Sequence, residues 1–177
     1  MTREVVQVNR APVLTLWASV VAERLGYDRE EALSLGKALA GLNAQSKGRR
    51  LGIYKPAERP EAAPPKKARL GEEFWVELLG RPLPVMKTKS GTRAVEGARP
   101  IEPAGVERYL QGKFGEALES VRKAMEELSV AFSPKDLAAR AFSLYERFRP
   151  QIPEGVRGWG AKGELDLDRI RDLGGKS

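Results

Sequence analysis

Thirteen lysines and arginines stand between residues 44 and 99 against six acidic residues, whereas residues 1–43 carry five of each sign and residues 100–177 thirteen of each. The whole net charge of +7 therefore sits in the middle third of the chain. Eight of these cations (Lys47, Arg49, Arg50, Lys55, Arg59, Lys66, Lys67 and Arg69) fall within residues 44–69 beside two acids. Long basic side chains neutralise phosphates and release counterions, so the chemistry that suits this run is contact with the backbone of DNA or RNA. Tyr54 and Trp75 lie near it in sequence and offer rings on which bases can stack. A second group follows at Arg81, Lys87, Lys89, Arg93 and Arg99. Alternation along a strand would place Lys87 and Lys89 on one side of a basic ribbon, a shape that lies along phosphates or in a major groove. Each group also has a plainer reading: a linker kept in solution by its charge, and an edge strand guarded by lysines. The expected nucleic-acid contacts are Lys47, Arg49, Arg50, Lys66, Lys67, Arg69, Lys87 and Lys89.

Other chemistry is narrowed by what is missing. The chain holds no cysteine and no histidine. Thiolate nucleophiles, disulfides and the commonest general base and metal ligand are absent with them. An enzyme here would work with Asp, Glu, Lys, Arg, Tyr or Ser, so the expectation is a binding protein with no cofactor and no metal. Gly158-Trp159-Gly160-Ala161-Lys162-Gly163 matches G-x-G-x-x-G in letters. A proline-bounded loop precedes it, where a dinucleotide site needs a strand, so a loop pinned by Trp159 is the reading adopted. Glu164, Asp166 and Asp168 would share one side of an extended stretch and could hold Mg²⁺. Capping of a short helix by Asp168 explains the group more simply. A third functional reading, an enzyme on phosphorylated substrates, would use Lys162 with Asp166 or Asp168.

The elements that must carry these residues are mainly helical. From Ala11 to Leu25 the residues Leu14, Trp17, Val21 and Leu25 fall on one helical face, with Pro12 in the first turn and Gly26 as the C-terminal stop. Asp28 and Glu31 form a capping box for a second helix to about Ser46, with Ala32, Leu35, Leu39 and Leu42 on its apolar side. Gly36 and Gly41 within it cost about 1 kcal/mol each relative to Ala, and either permit close packing or mark a weak helix. A helix-turn-helix would have this outline, but Arg29, Glu30 and Glu31 would set acids against phosphates, so a packed hairpin is expected.

Residues 56–71 read as a basic proline-rich linker, with Pro56, Pro60, Pro64 and Pro65 and no apolar period. Phe74, Val76 and Leu78 alternate as in a strand, Leu83 to Thr88 reads as another, and Ser90-Gly91 turns into Thr92 to Val95. One long helix is expected from Pro103 to Ala131, its stripe formed by Val106, Tyr109, Leu110, Phe114, Leu118, Val121 and Met125. Ser133-Pro134-Lys135-Asp136 opens a further helix that buries Leu137, Ala141, Leu144, Tyr145 and Phe148. A glycine-rich loop, Gly155 to Gly163, and a short helix, Asp168 to Leu173, complete the chain.

The fold class is α+β with helices dominant: a helical hairpin over 1–55, the linker over 56–71, and a β-hairpin plus helical unit over 72–177. No apolar run approaches the roughly 20 residues of a membrane span, and Met1 to Glu4 lead into no signal-peptide core, so a cytoplasmic protein with no membrane partner is expected. Asparagine occurs only at Asn9 and Asn43 while charge is abundant. Heat adaptation or GC-rich coding bias produces such a composition. Arg10 to Tyr54 together with Trp159-Gly160-Ala161-Lys162-Gly163 resembles a family of uncharacterised bacterial proteins, and the resemblance implies no activity, cofactor or site. The leading functional expectation is non-catalytic nucleic-acid binding through the phosphate backbone. A protein-interaction or homo-oligomeric assembly module is the alternative.

Overall fold

The computed structural model describes residues 5–49, 73–89, 91–96, 99–150 and 163–174, with the backbone alone for 42–49 and 96. The linker at 56–71 and most of the glycine-rich loop lie outside the described residues. The class is α+β with helices dominant.

The N-terminal hairpin forms as its capping residues dictate. α1 (Arg10–Arg24) begins after Asn9 and ends at Gly26, whose φ of 115° only glycine adopts readily. α2 (Arg29–Arg49) opens on the capping box: the Glu31 amide donates to Asp28 Oδ1 at 2.8 Å, and the Asp28 amide donates to Glu31 Oε1 at 3.1 Å. Where a one-sided stripe was expected on α1, every residue from Pro12 to Ala22 is buried. The reason is position. α1 is the central rod, with α2 along it and later helices on its other sides. Toward α2 it presents Thr15 and Ser19, whose hydroxyls donate to Ala11 O and Leu16 O within α1 itself. Gly36 fits against them. A Cβ there would run into the Thr15 carbonyl oxygen and lie 3.1 Å from Ser19 N. Gly41 meets nothing within 4 Å, so the two glycines have different causes.

A four-stranded antiparallel sheet follows, built from β2 (Glu73–Leu78), β3 (Arg81–Thr88), β4 (Gly91–Glu96) and β5 (Arg99–Pro100), in the order β2-β3-β4-β5. Leu79 and Gly80 link β2 to β3 with φ of 51° and 75°, the two positive values that a type I′ hairpin turn requires. The β3–β4 ladder runs from Thr88–Gly91 to Val85–Ala94 and stops where Pro84, lacking an N–H, comes next.

The single long helix expected over Pro103–Ala131 is broken. α3 (Pro103–Phe114) ends at Gly115, with φ 58° and ψ −133°, and after a 3-10 turn at Gly115–Ala117 the chain continues as α4 (Leu118–Val130). The apolar stripe is kept, since Val106, Leu110, Phe114, Leu118, Val121 and Met125 are all buried. The break lets both halves pack on the hairpin, where one straight rod would run off it. α5 (Pro134–Phe148) starts at Ser133, whose Oγ accepts from Asp136 N at 3.2 Å, and it buries the five residues expected of it.

A second, two-stranded sheet pairs β1 (Val5–Val8) antiparallel with β6 (Gly163–Asp166). α6 (Leu167–Asp172) follows at once. Its cap is Asp166, whose Oδ1 accepts from the Asp168 and Arg169 amides, and not Asp168 as expected. The helix starts at Leu167, so the capping role moves back two residues, from Asp168 to Asp166. One apolar core runs from Val8 through the hairpin, the sheet and all later helices to Ile170.

Candidate nucleic-acid interface

The β3–β4 hairpin is the described element that carries expected contact residues into solvent. Lys87, near the end of β3, and Lys89, in the two-residue turn, are both exposed. Lys87 shares its side of the strand with buried Leu83 and Val85 and reaches water because the core ends before it. Neither lysine has a carboxylate partner among the described residues.

Acidic residues at the start of α2 lie against the same hairpin and are engaged there. Glu31 Oε2 accepts from the Thr92 amide at 2.8 Å while Oε1 caps α2. Gly91 makes room for this, since a Cβ there would lie 3.0 Å from Glu31 Oε2 and its φ is 121°. Ser34 Oγ accepts from the Ala94 amide at 3.1 Å and donates to Glu31 O. Glu30 pairs with Arg93 at 3.5 Å, and the Arg93 side chain is only 6% exposed. Arg93, expected among the hairpin cations, is therefore a structural ion partner buried against α2. Arg81 is also engaged, its guanidinium 5.6 Å from the Phe142 ring centroid. Arg99 is exposed on β5.

The remaining expected contacts divide in two. Lys47 and Arg49 belong to the last turns of α2. Arg50, Lys66, Lys67 and Arg69 lie outside the described residues, as do Lys55, Arg59 and the proposed stacking ring of Tyr54. Because Glu31 touches the hairpin at one end of α2, Arg49 stands about 27 Å away along the helix axis. The structure thus separates Lys87 and Lys89 from Lys47 and Arg49 by nearly the length of α2. Trp75 is 39% exposed on β2, as a stacking surface must be, but Glu73 and Glu77 flank it on the same face.

The other constellations come out as structural. Glu164 accepts from Gln7 across the β1–β6 pair, Asp166 caps α6, and Asp168 pairs with Arg171 at 3.2 Å. Among the described residues no group of three or more acidic side chains is placed to hold a metal ion. Lys162, the third reading's cation, lies outside them. Burial pushes the hydroxyl pKa of Tyr27, Tyr109 and Tyr145 above the ordinary tyrosine value, the last to about 12. A cavity of about 520 Å³ opens between α5 and the β2–β3 turn, and its lining brings together one carboxylate, Glu77, and one amine, Lys135.

Sequence reasoning missed several arginines that hold the helices together. Arg24 donates from α1 to Ser129 O and Phe132 O at the end of α4, and Arg10 donates to Pro150 O beyond α5. Glu107 is held between Arg29 at 3.2 Å and Arg122 at 3.1 Å, tying α2, α3 and α4. Such long-range pairs leave no local pattern to read. No helix of the described residues is long and apolar enough to cross a membrane. Compared with family models, with curated proteins and with solved structures, the chain finds no match.

Proposed function

We propose that this chain is a non-catalytic nucleic-acid-binding protein that contacts DNA or RNA mainly through phosphates. The observation that carries this reading is the hairpin tip. Lys87 and Lys89 stand exposed without carboxylate partners among the described residues, while Glu30 and Glu31, which lie against the hairpin, are engaged by Arg93 and by backbone amides. The basic run from Lys47 to Arg69 supplies further cations. A second contact at the far end of α2 would engage a duplex about 27 Å, or about eight base-pair steps, from the first.

Titration of random duplex and single-stranded DNA and RNA at several salt concentrations tests this. Affinity is expected to fall with a log–log slope of about −0.9 per phosphate neutralised on duplex DNA. Replacing Lys87 and Lys89 by Ala flattens the slope by up to about 2, and replacing Lys47, Arg49 and Arg50 by up to about 3, for all sequences alike. The pair Arg108→Ala and Lys123→Ala, exposed cations of α3 and α4 in the charge-balanced region, leaves it nearly unchanged. Absence of binding at about micromolar protein near 50 mM salt, conditions in which even non-specific electrostatic binding registers, rejects the reading.

A protein-interaction role is the second reading. One observation favours it: the outer edge of β2 has no partner among the described residues. Assembly through α1 is disfavoured, because that helix is buried along its length.

A further inference from the structure

Register decides which backbone groups of the four-stranded sheet are already used. Leu78 and Arg81 flank a two-residue turn, so the hydrogen-bonded pairs of β2 and β3 are Leu78–Arg81, Val76–Leu83 and Phe74–Val85. Glu73, Trp75 and Glu77 fall between them, and their N–H and C=O groups point away from β3. The same alternation turns Thr92 and Ala94 of β4 outward, and there the amides are taken by Glu31 and Ser34 of α2. β5 covers the rest of that side. β2 is the opposite margin, and among the described residues its outward groups bond to nothing.

We propose that β2 is a docking edge that takes an extended, basic peptide of a partner protein as an added strand. Main-chain groups of an open edge supply the affinity of such docking, and alternate side chains supply its selectivity. β2 offers six residues without proline, and Trp75 stands 39% exposed at its middle. Glu73 and Glu77, both exposed, flank that ring on the same face. An added strand sets its own side chains opposite these three, so cation, apolar and cation in alternation match them. A second copy of this chain paired antiparallel about Trp75 would place Glu73 opposite Glu77 of the other copy. Like charges directly opposite destabilise a pair, so the pattern selects a basic partner over self-pairing.

The end of the edge adds a pocket. The cavity of about 520 Å³ begins at Glu77 and Leu78 and is bounded across from them by α5. Leu25, Leu78 and Phe142 give it an apolar lining, and Ala138 on α5 leaves it wide. A docked strand running past Glu77 places an apolar side chain there. This inference develops the protein-interaction reading and is independent of nucleic-acid binding, so either can fail without the other.

The test is calorimetric titration of the full chain with the capped peptide Lys-Thr-Val-Thr-Lys, its Glu-Thr-Val-Thr-Glu counterpart, and the lysine peptide N-methylated at alternate amides. The lysine peptide is expected to bind at least about tenfold tighter than the glutamate one, and N-methylation to remove about tenfold or more, since charge is kept while strand bonds are lost. The pair Glu73→Lys and Glu77→Lys reverses the charge preference. Glu77→Pro deletes an outward N–H that the β2–β3 ladder does not use, and weakens binding without loss of the folded state. If that variant fails to fold, the N-methylated peptide on the parent protein answers the same question. Three outcomes overturn the proposal: no saturable binding of the lysine peptide up to about 1 mM, equal binding of its methylated form, or a dimer in sedimentation that Glu77→Pro dissolves.

Discussion

The amide of Thr92 donates to Glu31 Oε2 at 2.8 Å across 61 residues of chain, while the other oxygen of that carboxylate caps α2. One side chain thus closes a helix start and a sheet edge together. Glu31→Ala removes both acceptors and is expected to cost about 1–3 kcal/mol. Glu31→Gln keeps one oxygen acceptor and costs less. Urea unfolding measures the cost. Hydrogen exchange at the Thr92 amide gives the specific readout, because protection there should fall in Glu31→Ala. Unchanged protection would show that the sheet edge does not depend on this carboxylate.

Trp17 is fully buried at the centre of the core, its Nε1 donating to Ala141 O at 2.9 Å and its ring edge-on to Phe148 at 5.2 Å. Trp17→Ala is expected to cost about 3–5 kcal/mol. Trp17→Phe keeps an aromatic ring and loses the indole hydrogen bond and part of the ring volume, at about 1–3 kcal/mol. Thermal melts of the two variants should rank in that order. Equal melting of Trp17→Ala and parent would remove Trp17 from the core.

Gly36 and Gly41 lie on one helix and should respond with opposite signs. Gly36→Ala drives a methyl into the α1 backbone at Thr15 and is expected to destabilise by about 1–3 kcal/mol, as overpacking does. Gly41→Ala enters open space and should stabilise by about 0.5–1 kcal/mol through helix propensity. Chemical denaturation of both variants checks the pair, and the same sign for both would refute the packing assignment.

Glu23 sits half-buried near Arg29, Glu126, Arg122 and Glu107, and burial is the main cause that raises its carboxyl above the usual value, against the pull of Arg29. A carboxyl raised in the folded state contributes stability below its unfolded pKa and loses it as pH rises through the folded value. Glu23→Gln stays neutral throughout. Its melting temperature relative to the parent should therefore increase between about pH 4 and about pH 7. A difference that is flat or falls over that window would contradict the assignment.

Helix starts were the most legible features, because their signals are local. Asp28 with Glu31, and Ser133 with Asp136, satisfy amides three residues away. The apolar alternation of Phe74, Val76 and Leu78 reads the same way. What stayed hidden depends on distant partners. The stripe from Val106 to Met125 keeps its helical period through Gly115, so the break shows only as a backbone angle. Val5–Val8 is too short to declare itself without β6. Arg93 looks like any hairpin cation until Glu30 is placed beside it. The candidate contact residues were therefore readable as charge, while which cations are engaged within the fold depended on tertiary contacts.

The pairing of β1 with β6 also has a consequence in time. Gln7 bonds to Glu164 across 157 residues. At translation rates of about 5–20 residues per second, the first strand waits roughly eight to thirty seconds for its partner to be synthesised. α1, buried along its length in the finished fold, emerges just behind it and has only α2 for cover until α3, α4 and α5 appear. The nascent chain therefore carries a sticky half-built core, and the hairpin's glycine-tight seam at Gly36 is the first interface able to shield it.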